Sequence, residues 1–190
     1  MIAKLWRARF ALVAAALFFS SAHANAAEEL KPAEGAKPAF TLNDLSGADV
    51  TLGAQRGGVV LVHFFATWCE PCREELPALK RLVERAAASP VTVLAISVGE
   101  VDARVTRFMQ NIPVNFPVLL DRDRAVAKGW DVYALPTTYV LDEALTPKLV
   151  VNGEFAWDTL ALDGLRAMLA AAPAKRTTNH STSNRTQEGG

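Results

Sequence analysis

Cys69 and Cys72 are the only cysteines of this 190-residue chain, and they stand three apart in Trp68-Cys69-Glu70-Pro71-Cys72. Two thiols at that spacing can close on each other. The chemistry open to them is thiol–disulfide exchange, in which one thiolate attacks a disulfide and the second thiol resolves the mixed disulfide. A purely structural bridge here would contribute least, because loop-closure stabilisation grows with loop length. The attacking thiol must be reachable and readily ionised. Cys69 meets both needs if a helix starts just after it, since the unpaired N–H groups and dipole of a helix N-terminus favour a thiolate. Cys72, one turn in, is then the more buried resolving thiol. Pro71 costs such a helix nothing in its first turn, where its missing N–H would have no partner. Three other uses of the pair compete. Half of a zinc site needs four ligands, yet no further cysteine exists and two of the three histidines, His23 and His180, lie near the chain ends. A copper site would want a distal histidine in the C-terminal half of the folded region. A redox-dead scaffold is at odds with the presence of both thiols. The expectation is therefore a dithiol with no metal and no cofactor.

Such a pair needs a strand-to-helix junction, and the flanking residues predict one. Val59 to Phe65 (VVLVHFF) reads as a strand buried on both faces. After the cysteines, Leu76, Leu79, Leu82, Val83 and Ala86 recur at helical steps, with Pro77 expected to kink or restart the helix. Val91 to Val98 reads as a second buried strand, and the helical crossover makes the two parallel neighbours. Asp102 is expected to cap a helix carrying Val105, Phe108 and Met109. Val114 to Leu120 reads as a short strand, with Pro117 marking an edge or irregular position. Arg124 to Lys128 reads as a short helix ended by Gly129. Leu135 to Leu141 and Lys148 to Val151 form a hairpin, and Asp158 to Ala171 a last helix. Upstream, Ala39 to Leu42 and Asp49 to Leu52 flank the turn residues Asp44 to Gly47 as an N-terminal β-hairpin. Strands alternating with helices imply an α/β fold with a mixed sheet.

At the N-terminus, Lys4, Arg7 and Arg9 precede the ten-residue apolar run Phe10 to Phe19, and Ala22-His23-Ala24 and Ala24-Asn25-Ala26 both fit a small-residue cleavage site. Residues 1–26 read as a secretory signal. The alternative is a retained membrane anchor, although a spanning helix needs roughly 20 apolar residues. Removing residues 1–26 takes away three basic and no acidic residues, so the net charge becomes 17 − 20 = −3. That balance, with no basic stripe, argues against a nucleic-acid partner. Residues 27–38 read as a linker, 39–172 as the folded domain and 173–190 as a polar, disordered tail. The tail carries the glycosylation-like triplets Asn179-His180-Ser181 and Asn184-Arg185-Thr186.

The run Thr67-Trp68-Cys69-Glu70-Pro71-Cys72-Arg73-Glu74-Glu75-Leu76-Pro77 resembles the active site of thioredoxin-like proteins, and most of all their exported TlpA/ResA-type branch. Supporting stretches are Phe40-Thr41-Leu42, Asn115 to Asp121, and Leu135-Pro136-Thr137-Thr138. The resemblance runs from about Ala39 to Leu169. It implies a thioredoxin fold in which Val101 to Leu120 forms a βα insertion. It also implies a cis Leu135-Pro136 bond against the cysteines, where Leu135, Pro136 and Trp68 would meet the substrate. Glu75 matches a carboxylate that the branch places near the buried cysteine; it would relay a proton to Cys72, unless it is a solvated helix charge. Glu70 and Pro71 would tune the potential. His63 departs from the branch, which usually has an amide there; it is either a second proton relay or a hydrogen-bonded core residue. The implied function is a monomeric periplasmic or extracytoplasmic reductase of protein disulfides, in cytochrome c maturation or a related task. Its electrons would come from a membrane dithiol protein of the CcdA or DsbD kind. A dithiol oxidase or isomerase of the DsbA type, or a partner-binding module with incidental redox activity, are the alternatives.

Overall fold

The computed structural model describes residues 29–86 and 91–172. The expected signal of residues 1–26 and the tail of residues 173–190, with Asn179 and Asn184, lie outside the described residues. In chain order the strands are β1 (Lys31–Pro32), β2 (Thr41–Asn43), β3 (Asp49–Thr51), β4 (Val59–Phe65), β5 (Val91–Val98), β6 (Val118–Asp121), β7 (Thr137–Leu141) and β8 (Pro147–Asn152). The helices are α1 (Glu70–Arg85), α2 (Asp102–Asn111), α3 (Ala125–Gly129) and α4 (Leu162–Ala171).

The sheet runs β1-β8-β7-β4-β5-β6, and β2 and β3 pair separately as the N-terminal hairpin. Every residue of β4 is buried, which explains its unbroken apolar sequence: it lies mid-sheet and is covered on both faces. It pairs parallel with β5 across the α1 crossover and antiparallel with β7. The odd residue Leu61 packs with Leu79, Leu82, Trp157 and Leu165 from α1 and the C-terminal region. The even residues Val60, Val62 and Phe64 pack with Phe40, Trp130 and Tyr139 on the other side. A third cluster joins Phe65, Leu76, Val105 and Leu120 to both cysteines. Residues 101–120, expected as an insertion, supply α2 and the edge strand β6.

Four details differ from the sequence reading. Residues 29–38 of the segment read as a linker run along the domain. Lys31 and Pro32 pair with Val150 and Leu149, Leu30 joins the core, and the buried Lys37 ammonium sits 2.7 Å from Asp131. Two residues offer no periodicity to read, and Pro32 is tolerated because β1 is an edge. Helix α1 runs through Pro77 as one element, held by the apolar face that Leu76, Leu79 and Leu82 bury on both sides of it. Asp102 makes no capping bond in α2; its carboxylate instead takes Arg122 at 2.7 and 2.8 Å. Gly129 lies inside α3 rather than past its end.

Candidate active site

Phe65 ends β4, and Ala66-Thr67-Trp68 turns the chain into α1, with Cys69 as N-cap. The Cys69 N–H closes the turn by donating to the Ala66 carbonyl at 3.1 Å. Cys69 and Cys72 are disulfide-bonded. The Cys72 N–H donates to Cys69 Sγ at 3.3 Å. It is one of the N–H groups that a helix start leaves unpaired, and it points at the sulfur that would carry charge after reduction. Cys69 is 5% exposed and Cys72 0%. The order matches the expectation, but Cys69 is more enclosed than the sequence suggested because Phe65, Ala66, Leu76 and Leu135 pack around the pair. Leu135-Pro136 is cis, and the Pro136 carbonyl accepts the Gly153 N–H at 2.8 Å.

Among the described residues the exposed large apolar side chains are Trp68, Val101 and Tyr133. They stand on the β4–α1, β5–α2 and α3–β7 connections. Strands β4 and β5 are parallel and β7 is antiparallel to β4, so all three connections emerge at one edge of the sheet, the edge that carries the disulfide. Trp68, 68% exposed, is open to a partner. Glu70 is exposed and approaches Arg73 at 3.7 Å.

Glu75 is buried, with 2% of its surface exposed. Its Oε1 accepts the Phe155 N–H at 2.7 Å and the Trp157 Nε1–H at 3.0 Å. Its Oε2 has no partner. Burial pushes the carboxyl up to about 7 against the pull of those two hydrogen bonds, and the nearby charge of Glu154 adds to the rise. The solvated-charge reading of Glu75 is therefore corrected: the third residue after Cys72 on α1 faces inward. His63 is an odd residue of β4 and so faces α1. It is fully buried. Its Nδ1 lies 2.9 Å from Thr138 Oγ1 on β7 and 3.8 Å from Glu75 Oε2. Burial holds the imidazole down at about 3, hence neutral. The 3.8 Å approach is accordingly no ion pair, and it is too long for a hydrogen bond.

Sequence reasoning missed Glu100. Its Oε2 accepts the Thr67 N–H at 2.8 Å and the Ser97 hydroxyl at 2.9 Å, and its Oε1 accepts the Thr67 hydroxyl at 2.5 Å. This buried carboxylate ties the end of β5 to the turn before Trp68. A usable signal existed: a charged residue directly after a buried strand, at the sheet edge where a parallel neighbour carries the cysteines. Glu100→Ala should leave the Thr67 N–H unpaired and lower stability by about 2 kcal/mol. Urea unfolding checks this, with Glu100→Gln expected in between. Trp157 belongs to the core and also donates to Glu75. Among the described residues no cluster of His, Cys, Asp and Glu is arranged to hold a metal ion.

Residues 34–146 match the AhpC/TSA family. The thiol-disulfide oxidoreductase ResA of Bacillus subtilis is 38% identical over 116 residues, which are 61% of this chain and 65% of that protein. The chain thus spans just under two thirds of that relative. ResA of Geobacillus kaustophilus is 34% identical over 116 residues, covering 61% of this chain and 67% of its own. A secreted Mycobacterium tuberculosis disulfide oxidoreductase homologous to E. coli DsbE superposes with a TM-score of 0.56 at 26% identity, over 70% of this chain and 95% of that one. The mixed sheet and its flanking helices are the thioredoxin fold that the resemblance implied.

Proposed function

The chain belongs to the AhpC/TSA family of thioredoxin-like proteins, alongside ResA-type thiol–disulfide oxidoreductases, and on that premise we propose that it reduces disulfides of extracytoplasmic proteins through Cys69 and Cys72. The observation that carries the reading is the disulfide at the start of α1, with a buried carboxyl three residues beyond Cys72. In the dithiol form the Cys69 thiolate attacks a substrate disulfide. One substrate sulfur leaves and takes a proton, and a mixed disulfide joins Cys69 to the other. Cys72 then gives its proton to Glu75 and attacks Cys69 Sγ. The second substrate thiolate departs, two electrons have moved, and the Cys69–Cys72 disulfide remains. Glu75 suits this task because its titration lies near neutral pH.

Trp68, Val101 and Tyr133 favour a protein substrate, since an apolar rim around a disulfide offers area that a small thiol would not fill. Leu135 and Pro136 would align its chain. Apocytochrome c belongs to this substrate class. Resetting the dithiol takes two electrons, and a membrane dithiol protein of the CcdA or DsbD kind is the proposed donor. Export through residues 1–26, with cleavage near Ala24 or Ala26, is part of the reading; N-terminal sequencing that returned Met1 would favour an anchored form.

Glu70 sets a negative charge beside the Cys69 thiolate, which disfavours the reduced form and lowers the potential. The midpoint is expected nearer that of thioredoxin, about −270 mV, than that of DsbA, about −120 mV. Equilibration with glutathione or dithiothreitol buffers measures it, and insulin precipitation measures reductase activity. A value close to that of DsbA, with no insulin reduction, would replace the reductase by an oxidase.

A further inference from the structure

His63 Nε2 and Glu75 Oε2 are the buried side-chain polar atoms without a hydrogen-bond partner among the described residues. They belong to two residues that face each other across the β4–α1 interface at 3.8 Å. Unpaired polar atoms inside a domain call for an explanation, and here both fall on one pair beside the disulfide.

We infer that His63 is a positioning residue whose tautomer follows the charge on Glu75. Glu75 Oε1 already accepts from Phe155 N and Trp157 Nε1. A proton on Glu75 therefore sits on Oε2, the oxygen turned toward His63 Nδ1. When Glu75 is protonated, Oε2–H needs an acceptor. The Nδ1 lone pair supplies one after a closure of about 1 Å to hydrogen-bond range, and the imidazole proton is then on Nε2. When Glu75 is ionised, a lone pair on Nδ1 would face a negative oxygen, so the proton moves to Nδ1. Thr138 Oγ1, 2.9 Å from the same nitrogen, yields the single Nδ1 lone pair to Oε2–H when Glu75 is protonated, and shares the Nδ1–H with Oε2 when Glu75 is ionised. Carboxyl and imidazole thus switch together, with the ring remaining neutral throughout.

The surroundings leave this pair to itself. On β5, His63 is opposite Ala95, which carries no charge. On β4, Phe65 stacks near the ring, with centroids 6.2 Å apart. On β7 the facing group is the Thr138 hydroxyl. From the loop after β8, Glu154 adds negative charge to Glu75. On α1 the titratable neighbours are Glu74, which is exposed, and Cys72 within the disulfide. The inference rests on the proposed proton-accepting role of Glu75, and it adds what sets the affinity of that acceptor. A hydrogen bond to an ionised group is stronger than one to a neutral group. His63 accordingly favours the ionised form relative to an apolar side chain in the same place.

The test uses the oxidised full chain with labelled histidine and glutamate. The ring-nitrogen shifts of His63 and the carboxyl shift of Glu75 are followed by NMR from about pH 5 to pH 9. The expected result is a change from the Nε2–H to the Nδ1–H tautomer with the same midpoint as Glu75. In Glu75→Gln the tautomer should stay constant. In His63→Leu the Glu75 midpoint should rise by about one pH unit, and His63→Asn, which keeps a donor, should restore most of it. A tautomer that stays constant while Glu75 titrates, or a midpoint unmoved by His63→Leu, overturns the inference. Should His63→Leu fail to fold, the parent and Glu75→Gln spectra decide alone. The catalytic role of Glu75 is judged separately: an insulin-reduction pH profile unchanged in Glu75→Gln would count against that role and leave the tautomer result standing.

Discussion

Replacing Cys69 by serine is expected to abolish disulfide exchange, with a rate loss of at least about 10³-fold, whereas Cys72→Ser should keep the attack and stall at the mixed disulfide. The asymmetry follows from where α1 begins. Cys69 is the N-cap, its sulfur receives the Cys72 N–H at 3.3 Å, and it retains 5% exposure. Cys72 lies within the first turn, wholly enclosed by Phe65, Leu76 and Leu135. A substrate sulfur can therefore approach Cys69 along the S–S axis while Cys72 stays out of reach. Serine at position 69 leaves an alcohol of far higher pKa and no competent nucleophile. Serine at position 72 removes only the group that releases the substrate. Incubating both variants, reduced, with a disulfide-bearing protein and resolving the products on a non-reducing gel checks this. The Cys72→Ser lane should hold a covalent adduct that dithiothreitol cleaves, and the Cys69→Ser lane none. An adduct formed through Cys72 in the Cys69→Ser protein would reverse the roles.

How much of this site was legible depends on how far apart its parts lie in the chain. The strand–cysteine–helix junction spans residues 59–85 and is encoded locally: an apolar run, two cysteines, an early proline, then helical periodicity. The face of β4 that His63 occupies follows from its odd position once the strand's packing against α1 is known. The partners of Glu75 were not legible, because Phe155 and Trp157 reach it from 80 and 82 residues away and no pattern ties them to it. Trp157 is a core residue, yet its indole N–H is also half of what holds the carboxylate. Glu100 escaped notice for a related reason. One acidic residue after a strand is ordinary until the parallel pairing of β4 and β5 brings it under Thr67. Strand β1 was missed because two residues carry no period. Its partner strand is 119 residues further on in one pairing, Lys31 with Val150, and 117 in the next, Pro32 with Leu149 (150 − 31 = 119; 149 − 32 = 117).

The buried pair also predicts an unusual dependence of stability on pH. Glu75 titrates at about 7 in the folded protein against 4.5 ordinarily. Folding thus favours its protonated form, and the resulting stability, full below pH 4.5, is lost as pH rises to 7. His63 titrates at about 3 in the folded protein against 6.5 ordinarily. Folding favours its neutral form, and that contribution, full above pH 6.5, is lost as pH falls to 3. Each slope is about 1.4 kcal/mol per pH unit. Between pH 4.5 and 6.5 the two slopes oppose each other, so this pair leaves the parent protein nearly level there. Glu75→Gln keeps an acceptor for Phe155 and Trp157 but removes one slope. Relative to the parent, it should lose about 3 kcal/mol of stability as pH falls from 6.5 to 4.5. His63→Leu removes the other slope, and relative to the parent it should lose a similar amount, about 3 kcal/mol, as pH rises across the same window. Urea unfolding of the three oxidised proteins at the two ends of that window measures both differences, and titrations elsewhere in the chain cancel in them. The two variants should therefore cross the parent in opposite senses. If instead each differs from the parent by an amount that does not change with pH, neither Glu75 nor His63 changes its protonation on folding, and the buried, mutually facing pair cannot be the proton store beside Cys72.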